Sequence, residues 1–296
     1  MFKQMVMTFS QLLILCSVAL AQNSPSANDW KAVEQALGRS GQQQPDGAYK
    51  FGLPRADLKV TVDGVQVKPT LALGSWLAFS NPGQAAMVMG DLVLGEDEVS
   101  PVMAALEEHG LEVTALHNHV LHESPRVMYM HIAGHGDAVK LAEALKQVIA
   151  LTKTPAPSQP PSTPPAIELD TAAIDQILGQ KGKANGGVYQ VGVPRAEKIT
   201  DSGMAVPGSM GLATALNFQS TGGGKAAITG DFVLIGSEVN PVIKALRQNG
   251  IQVTAVHNHM LQDQPRLFFM HFWANDDALK LARGLRAALD QTNSKK

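Results

Sequence analysis

Two histidines separated by one residue, His117 and His119, are followed twelve residues later by a third, His131. Alternation along a strand puts the first two on one face. A third imidazole on the neighbouring antiparallel strand completes a set of three nitrogens, provided the register keeps it on that face. Three convergent imidazoles hold a divalent ion at about 2.0–2.1 Å and leave a coordination position open. The pattern recurs as His257, His259 and His271. Simple alternation also places Val113 and Ala115 on the face of the first pair. The expected cofactor is a divalent metal, zinc first, although imidazole also suits copper, nickel and iron.

Glu123 and Asp263 stand four residues beyond each pair. A carboxylate there can serve as an auxiliary ligand, a partner for an imidazole N–H, or a general base. Arg126 and Arg266 open the strands that carry the third histidines and suit a carboxylate or phosphate ligand. Asn118 and Asn258 lie inside each pair as further ligand-binding candidates. If the site is catalytic, activated water attacking an ester, amide or phosphoester is the natural chemistry. The carboxylates of Asp91, Asp231, Glu98 and Glu238 could reach a metal from neighbouring strand ends, but Asp91 and Asp231, each after a glycine, read first as turn residues. Glu98 and Glu238 read as favourable charges at helix N-termini. Arg55 and Arg195 fit local ion pairs with Asp57 and Glu197.

Other readings use the same residues. Histidines at strand ends also bond backbone carbonyls, which would make the chain a non-catalytic envelope module that binds a small molecule or a partner. A further arrangement packs two domains as a pseudo-dimer around one shared cleft, with only one site active. Nucleic acid is a poor partner for a net charge of −2. No Gly-x-Ser-x-Gly elbow supports a serine hydrolase.

The elements that would position these residues are written twice. Residues 99–152 laid on 239–292 without a gap share 24 of 54 positions, and all three histidines match. His109, His122 and His135 become Asn249, Gln262 and Asn275, which removes them from the shared set. Upstream, "YKFGLPRAD" answers "YQVGVPRAE", and "MGDLVL" answers "TGDFVL". The expected organisation is a signal peptide over 1–21, a first domain over 22–152, a proline-rich linker over 153–166 and a second domain over 167–296. Leu12–Leu20 is an apolar run of export length, and Ala19 and Ala21 suit signal peptidase. Cys16 is the only cysteine and sits in a poor lipoprotein box after Leu15. Cleavage after Ala21 would leave no cysteine, hence no disulfide and no thiolate ligand. No membrane span is expected in the mature chain.

Each copy reads as a short helix (29–38, 170–179), four strands, a helix, two strands and a last helix. In the first copy the four strands fall near 49–54, 59–67, 71–79 and 86–94. The first long helix begins near Ser100 or Asn240 and ends at Gly110 or Gly250 in left-handed caps. The pair of strands covers 111–119 and 126–133. The last helix is capped by Asp137 or Asp277. The expected fold class is α+β: two homologous domains, each a mainly antiparallel sheet with helices on one face.

The segments "YKFGLPR", "MGDLVL", "EV-x-PV", "ALHNH", "PRVMYMH" and "GDAVKLAEAL" resemble the LppY/LpqO family of exported bacterial proteins. The likeness spans both copies. It implies export, secreted or lipid-anchored, and domain duplication, and it supplies no reaction or substrate.

Overall fold

The computed structural model describes residues 27–81, 85–157 and 165–295. The signal peptide and the middle of the linker lie outside them. The first half runs α1 (Ala27–Leu37), β1 (Gln42–Gln43), β2 (Tyr49–Pro54), β3 (Thr61–Val62), β4 (Val65–Gln66), α2 (Pro69–Ala72), β5 (Gly74–Ser80), β6 (Ala86–Gly95), α3 (Val99–Glu108), β7 (Glu112–His117), β8 (Glu123–Ser124), β9 (Val127–Gly136) and α4 (Ala138–Ala150). The second half repeats it without the α2 equivalent. Its elements are α5 (Thr171–Leu178), β10 (Lys183–Asn185), β11 (Val188–Pro194), β12 (Thr200–Asp201), β13 (Met204–Ala205), β14 (Ala213–Gly222), β15 (Lys225–Ile235), α6 (Val239–Gln248), β16 (Gln252–His257), β17 (Asp263–Gln264), β18 (Leu267–Asp277) and α7 (Ala278–Leu289).

Each half is thus an α+β domain built on a six-stranded antiparallel sheet. The orders are β1-β2-β5-β6-β9-β7 and β10-β11-β14-β15-β18-β16. The expected strand over 59–67 is instead a tight hairpin, because Asp63 and Gly64 both take positive φ and turn the chain between β3 and β4. The start of the next expected strand is the short helix α2, opened by Pro69 at its first positions. Gly110 and Gly250 cap their helices at positive φ, and Asp137 accepts from the Val139 and Lys140 amides as an N-cap.

The central strand β6 shows why two layers cover each sheet. Val88, Leu92 and Leu94 face the helices and pack with Trp30, Leu106 and Leu145. Met87, Met89 and Val93 point the other way, where a strand exposed to water would carry polar residues. They meet the second half. Met87 and Met89 share a core with Val233, Leu267 and Phe269, and Val93 and Tyr129 share one with Ala227 and Trp273. Four layers result, helices–sheet–sheet–helices, with the two sheets face to face. Reciprocal bonds mark an approximate two-fold relation between the halves: Thr114 Oγ1 donates to the His259 carbonyl, and Thr254 Oγ1 to that of His119.

Arg55 is fully buried. It donates to Asp57 as expected, but also to the Val93 carbonyl and to both oxygens of Glu98. Glu98 in turn accepts from the Gly95 and Lys153 amides. Its role is therefore an ion pair that ties the loop before α3 to the start of the linker, and Arg195–Glu238 repeats it. Removing one partner strands the other charge in the interior. Glu98→Ala should cost about 3–5 kcal/mol in urea unfolding, whereas Asp57→Ala, on the wetter side of the same arginine, should cost about 1 kcal/mol or less. Equal losses for the two variants would contradict this assignment.

Candidate metal centre

The strand register brings the histidines to one face. His117 pairs with Tyr129, and Ala115 with His131, so His117 and His131 lie on the same side of the sheet. One residue departs from simple alternation. A bulge at Thr114 sets Val113 opposite Ile132 on the helix side, while Ala115 stays on the histidine face. The extra residue is the threonine that bonds across to the other half. His119 lies just past the end of β7, and the ring of Tyr129 stacks on it with centroids 3.3 Å apart. Phe269 stacks on His259 in the same way at 3.4 Å.

The face carrying these histidines is the one that meets the other sheet. Sequence reasoning expected a set of three in each domain, but the six imidazoles form one cluster across the interface. His117 stacks on His257 at 3.7 Å, His119 on His271 at 3.8 Å, and His131 on His259 at 3.8 Å. Two carboxylates join them. Asp91 is opposite His131 in the ladder and 3.5 Å from His119 Nε2, and Asp231 is 3.0 Å from His259 Nε2. Both aspartates lie inside strands β6 and β15, not in turns. Their reading as carboxylates able to reach a metal fits this placement, and the preferred reading as turn residues is corrected, because both strands run on through them.

Four groupings bring ligand atoms within reach of one ion: His117–His131–His257, His117–His119–His271, Asp91–His119–His131 and Asp231–His257–His259. The first two draw on both halves, and none is the three-histidine set of a single domain. His117 Nδ1 points at the Asn118 carbonyl (3.1 Å) and His271 Nδ1 at that of Gly230 (2.7 Å). A carbonyl can only accept, so Nδ1 carries the proton in both rings and Nε2 keeps its lone pair. This is how metal-ligating imidazoles are commonly oriented. Nε2 of His117, His119, His131 and His271 is buried and has no hydrogen-bond partner, and the same holds for Oδ1 of both aspartates. The second half is more closed on itself, since His259 Nε2 also lies 3.2 Å from His257 Nε2.

Burial favours the neutral form of five of the rings. It pushes the imidazoles of His119, His131 and His257 far below their ordinary value, and those of His259 and His271 to about 3. Burial also raises Asp231 to about 6.

The remaining candidates divide. Glu123 is half-buried, accepts from the Val127 amide through Oε1, and is raised to about 7 by burial. Asp263 is bonded on both oxygens, by Arg266 (2.8 Å) and the Leu267 amide (2.6 Å). Asn118 and Asn258 donate to the carbonyls of Val120 and Met260, and Asn258 also to that of Thr114, which shapes the loops after the strands. Arg126 and Arg266 are exposed.

The depressed imidazoles fix the sign of an acid effect. Between about 6.5, where histidine titrates in an unfolded chain, and about 3, the unfolded state binds more protons than the folded one. Stability of the metal-free protein should therefore fall as pH drops through that window, by up to roughly 1.4 kcal/mol per pH unit for each histidine. Asp231 and Glu123, shifted the other way, offset two histidines' shares, the first between about 4 and 6 and the second between about 4 and 7, which leaves the histidines in excess. Melting temperatures measured from pH 7 to 4 should drop, and His259→Gln/His271→Gln should flatten the slope. A wild-type profile already flat would contradict the burial of neutral rings.

No curated protein matches the sequence. Among solved structures, the chain is similar to a trimeric bacterial microcompartment shell protein, PduB, at 11% identity and TM-score 0.22, over 85% of this chain and 89% of that one. It is also similar to EtuB from Clostridium kluyveri at 10% identity and TM-score 0.20, over 84% and 88%. Scores this low carry no argument about fold or function. A family model described as Domain of Unknown Function (DUF1259) matches twice, over residues 31–151 and 172–291. The two matches coincide with the two sheet domains, and the chain belongs to that family in both halves.

Proposed function

We propose that this is an exported metal-binding protein whose two halves close on a shared imidazole–carboxylate centre holding a divalent transition metal, zinc first. The observation that carries the reading is that His117, His119 and His271, drawn from both halves, bring ring nitrogens within reach of one ion, and that each has a buried Nε2 with no hydrogen-bond partner. Buried polar atoms almost always find a partner. A purely structural neutral histidine would give its one N–H to an acceptor and meet a donor with its other nitrogen, whereas His271 meets a carbonyl through Nδ1 and no donor at Nε2. Neutral rings with free lone pairs are the form that binds metal.

Export rests on the apolar run and small residues before Ala21, with a periplasmic or extracellular location after cleavage. The resemblance to LppY/LpqO proteins supports it. Among the described residues no helix is long and apolar enough to cross a membrane. The reaction class best suited to the centre is hydrolysis by activated water, since three-ligand sets leave a position open. Glu123, whose carboxyl titrates near neutrality, is the candidate base. Arg126 and Arg266 remain candidates for binding the ligand at the rim.

Elemental analysis of the mature, untagged protein tests the metal reading. Wild type should carry at least one zinc per chain or take it up on titration, with a rise in melting temperature as bound metal favours the folded state. The double variant His117→Ala/His271→Ala, one residue from each half, should lose it while circular dichroism stays native. A wild type that neither carries nor binds metal rules the reading out.

A further inference from the structure

The first half holds two buried polar atoms beside the centre for which the second half has no counterpart. Tyr129 is fully buried, its ring lies against His119, and its hydroxyl has no hydrogen-bond partner. Glu123 reaches the amide of Val127, two residues before Tyr129 on the same strand. Glu123 Oε1 is bonded to the Val127 amide, but Oε2 is buried and unpartnered. In the second half the stacking ring is Phe269, which has no hydroxyl, and both oxygens of Asp263 are occupied. Phenylalanine therefore meets the packing need at this position. The phenol adds only a polar atom that would be costly to bury unless something binds it.

We infer that Tyr129 and Glu123 form a polar subsite, in the first half only, for a water beside the ion held by His117, His119 and His271, on whose His119 ring Tyr129 stacks. The inference rests on the metal reading above. The phenol can give a hydrogen bond and the carboxylate can accept one, so the occupant must accept from Tyr129 and donate to Glu123. Water does both. A carboxylate ion has no proton to give Glu123, and a phosphate ion would bring a second negative charge against it. In the step this geometry permits, the water's O–H bond breaks, the proton passes to Glu123 Oε2, and the electron pair stays on oxygen. The Tyr129 hydroxyl stabilises that charge by hydrogen bonding. The working half is then the first, and the second half completes the cluster.

Cobalt(II) in place of zinc makes the centre visible. The full mature chain is loaded with cobalt and its absorption spectrum followed from pH 5 to 10. Wild type should show a one-proton transition, and Tyr129→Phe should move its midpoint upward by about one pH unit, a tenfold weaker hold on the deprotonated oxygen. The variant should fold, since the second half carries phenylalanine at the equivalent place. A crystal structure of the cobalt-loaded protein should show a water oxygen within hydrogen-bond distance of both Tyr129 Oη and Glu123 Oε2. If the chain takes up no cobalt or zinc, the metal reading and the subsite fall together. If cobalt binds and Tyr129→Phe titrates as wild type does, or another molecule occupies the position, the subsite falls and the metal reading stands.

Discussion

Six imidazoles and two carboxylates sit between two sheets, where water would otherwise be excluded by apolar side chains, and the rest of the architecture answers to that fact. Charged, the rings would repel one another at stacking distances below 4 Å; neutral, they stack and present lone pairs. Burial supplies the neutrality, and the two halves supply the burial. The methionines, valines and aromatic residues around the cluster press the sheets together. The bulges at Thr114 and Thr254 then lock the loops bearing His119 and His259 through bonds to their carbonyls. Neither half could bury its own histidine face alone.

Much of each half was legible because the signals were local. Alternation in β9, glycine caps after α3 and α6, aspartate caps before α4 and α7, and a constant offset between copies are all set by residues near in sequence. Two local features escaped. The Asp63–Gly64 turn lies inside a run of apolar and polar residues that alternates well enough to pass for one strand. The bulge at Thr114 leaves no mark in the alternation, because Val113, Ala115 and His117 keep the same parity in sequence while the backbone turns Val113 to the other face.

The union of the two histidine sets was harder to read for a different reason. The pairing of sheet faces depends on contacts between residues more than a hundred positions apart, such as Thr114 with His259. Two observations pointed to it in retrospect. β6 and β15 are apolar on both faces, which an antiparallel sheet covered by helices on one side does not need. Asp91 and Asp231 interrupt those runs at equivalent places, and a carboxylate inside a doubly buried strand is costly unless a partner meets it. Read as turn residues, they lost that significance.

Fusion of two copies in one chain has a consequence that a symmetric dimer would not share. In a homodimer every substitution near the axis appears twice, so a residue that helps one side of a shared centre also alters the other. Here the halves have parted at positions in contact with the cluster while keeping the cluster itself. Tyr129 and its equivalent Phe269 are a ring with a hydroxyl and a ring without one, and Glu123 retains a free oxygen where Asp263 is bonded on both. His257 and His259 are hydrogen-bonded to each other, whereas their first-half equivalents are not. All three differences run in one direction: at these positions the second half supplies an internal partner or no polar atom and the first half leaves one open, while both halves keep unpartnered ring nitrogens and carboxylate oxygens at the cluster. A buried atom with an internal partner supports the packing, and one without needs a ligand. The duplicated chain can therefore assign support to one copy and chemistry to the other.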